Sequence, residues 1–158
     1  MRKYMCLWML LIVPAAWAGD APQVDYPNGF RDWKHIKSGV ILKDHGDFGL
    51  IGGIRHVYAN PKAVQGYKSG KFADGSFVVM DILEAKAGDK AVDEGGRQHV
   101  IVMQRNSKKF AATGGWGYEV FKGASKTERA LTNIPRNACF ACHEARRDQN
   151  FIFSTLRD

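Results

Sequence analysis

Five residues near the C-terminus, Cys139-Phe140-Ala141-Cys142-His143, constrain this chain more than any other stretch. The spacing C-x-x-C-H is that of a haem attachment site, in which each thiol adds to one vinyl group and the adjacent imidazole is offered to the iron. On a helical turn Cys139, Cys142 and His143 stand at i, i+3 and i+4 and share one face, as attachment to a single porphyrin requires. A zinc site needs two more ligands at matching spacing, and the chain has no second cysteine pair. A thioredoxin-like dithiol belongs after the first strand of a βαβ unit, not near the end of a chain. The expectation is one covalent haem c on Cys139 and Cys142, with His143 as an iron ligand.

The N-terminus points to a matching compartment. Arg2 and Lys3 precede an apolar run from Met5 to Ala15, and Ala16-Trp17-Ala18 has the small-x-small form of a signal-peptidase site. The run is shorter than the about 20 residues a membrane-spanning helix needs. We therefore expect a signal peptide over residues 1–18, cleavage after Ala18, a periplasmic product and no membrane association after cleavage. Cys6 leaves with the signal, so only Cys139 and Cys142 remain; both are expected to be used by haem, which leaves no disulfide framework. Residues 19–158 are expected to form a single haem c domain, long enough to bury a core without staples. The formal charge of +7 loses Arg2 and Lys3, leaving +5. The basic residues are dispersed, which argues against nucleic acid; such a surface suits an acidic redox partner or simply solubility.

Upstream of the attachment site the pattern is that of strands and turns. Phe30, Trp33 and Ile36 recur at helical spacing, predicting a short amphipathic helix over Phe30–Lys37. Val40–Leu42 begins an extended segment, broken by Asp44-His45-Gly46-Asp47. Ile54–Ala59 alternates as a strand, with Arg55, Val57 and Ala59 on one face and Ile54, His56 and Tyr58 on the other. Asn60-Pro61 opens a helix through about Tyr67, with Asn60 as N-cap, ended by Ser69-Gly70. Asp74-Gly75 turns into the strand Ser76–Glu84, where Val78, Met80 and Ile82 share a face. Ala85–Gly96 reads as a charged loop, Val100–Gln104 and Gly117–Phe121 as strands. Thr113-Gly114-Gly115-Trp116-Gly117 suits a turn where the backbone passes something bulky. A helix over Ala138–Ala145 presents the haem ligands, and Phe151, Ile152 and Phe153 form a tail able to cover a haem edge. The fold class is α+β, mainly antiparallel β-sheet with a few short helices and a C-terminal haem-attachment helix. A four-helix cytochrome needs long helical periods upstream, which are absent here.

Tyr26-Pro27-x-x-Phe30-Arg31-x-Trp33, Ile54-Arg55-x-Val57-Tyr58, Phe72-x-Asp74-Gly75-Ser76, Gly114-Gly115-Trp116-Gly117 and Ala138-Cys139-Phe140-Ala141-Cys142-His143 follow one another in an order that resembles the cytochrome P-460 and cytochrome c′-beta family. The resemblance runs from about Tyr26 to Phe153. It implies a mainly antiparallel sheet, one c-type haem and a homodimer. In the enzymatic branch a Lys is cross-linked to the porphyrin and hydroxylamine is oxidised. The cytochrome c′-beta branch lacks the cross-link and binds nitric oxide or carbon monoxide.

At the cross-linking position this chain has Met80, in Gly75-Ser76-Phe77-Val78-Val79-Met80. A thioether cannot supply the amine, so the cross-linked chemistry is not expected. If the position faces haem, Met80 is either a soft axial ligand or an apolar packing residue over open iron. Arg55 matches a family arginine near the distal site, which implies a haem-pocket role or a structural ion pair. His35, His45, His56 and His99 read as surface or structural residues, Phe48 and Phe77 as packing residues or steric caps, and Trp116 as packing on haem or sheet. Two functions follow. In the first, His143 and Met80 fill both axial sites and the protein carries single electrons to and from a redox partner protein. In the second, the sixth site takes a small gas ligand; hydroxylamine oxidation ranks third.

Overall fold

The computed structural model describes residues 23–130 and 136–157; the expected signal peptide and its cleavage site lie outside them. Five strands form one sheet: β1 (Lys34–Ile41), β2 (Gly53–Ala59), β3 (Phe77–Ala87), β4 (Val92–Arg105) and β5 (Trp116–Lys122). Each pairs antiparallel with its neighbour in sequence, in the order β1-β2-β3-β4-β5. Among the described residues three α-helices accompany the sheet: α1 (Phe48–Ile51), α2 (Pro61–Ser69) and α3 (Arg136–Glu144). The architecture is the expected α+β one, mainly antiparallel sheet, with the attachment motif on the C-terminal helix.

Register sorts the side chains into two faces, because paired residues point the same way. One face carries three successive rows across β2, β3, β4 and β5: Ala59-Val78-Met103-Tyr118, then Val57-Met80-Ile101-Val120, then Arg55-Ile82-His99-Lys122. On this face a buried cluster of Ile36, Val57, Val78, Met103, Trp116 and Tyr118 packs against residues of α2, α3 and the C-terminal tail. The opposite face holds Val79, Val100, Val102 and Phe121, covered by Val24, Phe30 and Phe110. Two carboxylates are buried there. Asp81 takes Arg97 Nε at 2.6 Å and Nη2 at 3.0 Å, with Arg31 at 3.5 Å; Glu119 takes Arg129 at 2.5 Å. A buried carboxylate is tolerable only when so engaged.

Three sequence expectations need correction. Phe30–Lys37 is not a helix: a single 3₁₀ turn (Phe30–Asp32) leads into β1. Phe30 and Trp33 pack on one face of the sheet and Ile36 on the other, so their helical spacing is not a stripe. A bulge between His35 and Lys37 adds the residue that lets Ile36 turn inward. Ala85–Gly96 is not a loop but a ribbon in which β3 and β4 stay paired, with Ala85, Lys86 and Ala87 opposite Glu94, Asp93 and Val92. The ribbon lacks hydrophobic alternation, and the Lys86–Asp93 pair supports it across the strands. The turn after Asp44 closes into α1, one helical turn that the sequence pattern did not signal.

α2 forms as expected. Asn60 Oδ1 accepts from Ala63 N at 2.9 Å and from Phe77 N at 3.0 Å, while Nδ2 donates to Gly75 O at 2.9 Å. One side chain thus caps a helix and pins the start of β3. Asn60→Ala is expected to destabilise the protein by about 2 kcal/mol, the upper end for a cap because two further bonds are lost. Urea denaturation monitored by circular dichroism checks this; a midpoint equal to wild type would contradict it.

Candidate haem-binding site

α3 presents the attachment residues on the row that contains Tyr118. Cys139 is half-buried and packs with Phe140 against the cluster of Val57, Val78, Met103 and Tyr118, while Cys142 is exposed. Both thiols are free, and burial pushes the Cys139 thiol pKa up. Beyond α3 a 3₁₀ turn (Arg147–Gln149) reverses the chain, and Asn150 and Phe151 take left-handed conformations with φ of 53° and 65°. Asparagine accepts this region readily; for a bulky residue such as Phe151 it is strained. The reversal brings the Phe151 carbonyl to 2.6 Å from His143 Nδ1. A carbonyl oxygen only accepts, so Nδ1 carries the proton and the Nε2 lone pair is left for a metal. The imidazole lies between Tyr118 at 5.0 Å and the half-exposed Phe153 at 4.9 Å. Burial also lowers its pKa, favouring the neutral ring that ligation needs.

The tail that supplies this carbonyl is itself held. Asn150 Nδ2 donates to Gly70 O at 2.6 Å at the end of α2, and Tyr67 OH meets Ser154 Oγ at 2.7 Å. Phe151 is buried and Ile152 more so. The Phe151 ring needs the glycine run: Gly114 has φ 64°, and a Cβ there would stand 2.5 Å from Phe151 Cζ. The bulky group anticipated beside those glycines is therefore an aromatic ring of the tail.

Met80 is half-buried on the same face and packs against the same cluster as Cys139 and Phe140. Arg55 shares that face, two residues before Val57, the partner of Met80. His56 points the other way, into a chain of hydrogen bonds through Ser38 Oγ to His35 (2.6 and 2.9 Å) and to Glu94 at 2.5 Å. His45 accepts from Asp47 N in an exposed turn. Phe77 faces away from Met80, against Trp33, and Phe48 lines a groove at the end of the sheet. Trp116 is fully buried against Phe72, part of the sheet core. Tyr118 and Lys37, the latter opposite Val57 in the Met80 row, were not singled out in the sequence, and His99, read there as surface or structural, also stands on the site face. Alternation puts Tyr118 with Val120 and His99 with Ile101, whereas the bulge before Lys37 breaks alternation there, and alternation in a lone strand does not say which group faces a ligand.

The residues fit a haem c. The motif gives two free thiols and a neutral imidazole with its tautomer fixed. Among the described residues, the buried side-chain atoms without a hydrogen-bond partner are Arg55 Nε, Ser76 Oγ, His99 Nδ1 and Tyr118 OH. The first, third and last stand on this face of the strands, and Ser76 has the parity of Val78 and Met80. A face lined with unanswered polar atoms is one shaped for something with polar groups of its own.

An antiparallel five-stranded sheet bearing a C-terminal C-x-x-C-H helix on one face defines a β-rich cytochrome, distinct from the helical ones. The model of the Cytochrome P460 family matches residues 27–154, and the chain belongs to that family, which makes it a haem-binding cytochrome of the haem c type. No curated protein matches the chain.

The tail should be sensitive to alkali. Burial pushes the Tyr67 phenol from 10.0 up to about 12, outweighing its hydrogen bond to Ser154. A raised folded-state pKa contributes stability that is complete below pH 10 and is lost as pH rises towards about 12. We expect stability to fall across that window, and Tyr67→Phe to flatten the fall. Denaturant midpoints measured between pH 9 and 12 check it (roughly the span from the free to the buried phenol).

Proposed function

We propose that the protein is an exported mono-haem c-type cytochrome that carries single electrons, with haem joined to Cys139 and Cys142 and its iron held by His143 and Met80. Bound haem supplies the redox chemistry, an iron that cycles between ferric and ferrous. The protein's residues do the rest. Phe151 O orients His143, and the rings of Tyr118 and Phe153 pack against its imidazole. Met80 offers a soft thioether, which favours ferrous iron and raises the reduction potential.

The observation that carries this reading is the position of Met80 on the sheet face against which the C-x-x-C-H helix packs; the family resemblance implies a cross-linking lysine at that position. The half-exposed ring of Phe153, edge-on to His143 with the Arg146 guanidinium 5.2 Å above it, is a suitable contact for an acidic redox partner. A second reading, nitric oxide or carbon monoxide binding, has support in the same row. Val57, Ile101 and Val120 flank Met80 and would leave an apolar wall around vacated iron. Hydroxylamine oxidation by a cross-linked haem is disfavoured because Met80 has no amine.

Intact mass after denaturation should equal the processed chain plus one haem, and Cys139→Ser or Cys142→Ser should each remove one linkage. A bare-chain mass from a host that matures c-type cytochromes would refute the attachment.

Wild type should show the ferric methionine-to-iron band at the red end of the spectrum. Met80→Ala should abolish it, lower the reduction potential and speed carbon monoxide binding by about tenfold or more, because a ligand that leaves only a fraction of iron open slows binding by that fraction. Identical spectra, potentials and kinetics would reduce Met80 to packing and promote the gas-binding reading.

A further inference from the structure

The unanswered polar atoms on the site face are separated along the strands. Tyr118, whose OH is buried without a partner, stands in the row nearest the thiols. Arg55 Nε and His99 Nδ1, both buried without a partner, lie in the third row. Four residues along the strands separate the two rows, about 13 Å. Arg55 on β2 and His99 on β4 flank Ile82 of β3. Their backbones are thus two strand spacings apart, about 10 Å. Gly39, opposite Arg55 on β1, leaves room for the guanidinium: a Cβ there would stand 3.3 Å from Arg55 Nε.

Charge has the same bias. The ionisable side chains of these rows and of the β1 residues beside them are Lys34, Lys37, Arg55, His99, Tyr118 and Lys122, with no carboxylate among them. Lys122 is engaged by Glu128 at 2.8 Å. Buried donors beside unbalanced positive charge call for an anion. Attachment through thioethers uses the vinyl edge of a porphyrin, and its two propionate carboxylates leave from the opposite edge.

We propose that Arg55 and His99 hold the haem propionates, Arg55 Nε–H donating to one carboxylate and His99 Nδ1–H to the other. The haem then lies with its vinyl edge at the Tyr118 row and its acidic edge over Arg55-Ile82-His99. Arg55 and His99 are positioning residues: they fix the porphyrin in its slot and screen the propionate charge felt by the iron. The proposal rests on attachment at Cys139 and Cys142 and is independent of ligation by Met80.

Resonance Raman spectra of the purified ferrous holoprotein test it through the propionate bending modes, which move with hydrogen bonding. In wild type the modes should sit at hydrogen-bonded positions. Arg55→Leu and His99→Leu should each shift one mode and lower the reduction potential, since exposed propionate charge stabilises ferric iron. Arg55→Lys and His99→Gln, which keep a donor, should recover most of both effects. Wild-type modes at the unbonded position would overturn the proposal without any variant. A response to only one of the two residues, or to neither, would also overturn it. Haem attached with unchanged propionate modes removes this proposal alone; a preparation whose intact mass shows no haem removes the attachment reading and this proposal together.

Discussion

The hydrogen bond from His143 Nδ1 to the Phe151 carbonyl is the contact on which the site depends. It sets the tautomer, the ring orientation and which ring nitrogen keeps a free lone pair in one interaction. Much of the C-terminal structure serves to deliver that carbonyl. Asn150 reaches Gly70 at the end of α2, Ser154 reaches Tyr67 in its middle, and Gly114 gives way to the Phe151 ring. The left-handed backbone at Phe151 is held by contacts on both sides, including its own N–H to Arg146 O at 2.7 Å. Backbone strain of this kind costs on the order of 1–3 kcal/mol and persists where surrounding structure over-determines it. Here it lies at the residue whose carbonyl holds the His143 imidazole.

The sheet also sorts charge through its thickness. On the face away from the site, Asp81 and Glu119 are fully buried and each is engaged by arginine. On the site face the same strands carry methionine, branched aliphatics, Arg55 and His99. Alternation along a strand makes this possible: Met80 and Asp81 are neighbours in sequence yet stand on opposite sides of the sheet. A register slip of one residue would exchange the thioether for a carboxylate and ruin both faces. The turn at Asp74-Gly75 guards against it, since Gly75 N donates to Arg105 O at 2.8 Å and Asp74 accepts from Ser107 N and Oγ, each at 2.8 Å.

Residues whose role is local were legible in the sequence. Asn60-Pro61 and Gly70 bounded α2 because caps act within one turn, and the faces of β2 and β3 followed from alternation alone. The attachment motif was legible because its geometry needs only one helical turn. What failed depended on distant partners. Phe30, Trp33 and Ile36 carry a helical spacing that pairing with β2 overrides. The charged ribbon of β3 and β4 is defined by the strand opposite, which a local pattern cannot supply. His99 and Tyr118 gained meaning only once four strands were set in register, and the Phe151 carbonyl has no side-chain signature at all.

The nearest-neighbour order of the strands bears on how such a protein is assembled. Every strand pairs with the one made just before it, so the sheet requires only short-range closures, and no strand waits for the attachment helix. The strands therefore complete their backbone pairing without α3, and Cys142 is exposed with α3 docked on the sheet. The segment from α3 onward is thus a latch laid over a surface whose own pairing is complete, so loosening it would free both thiols without unpairing a strand.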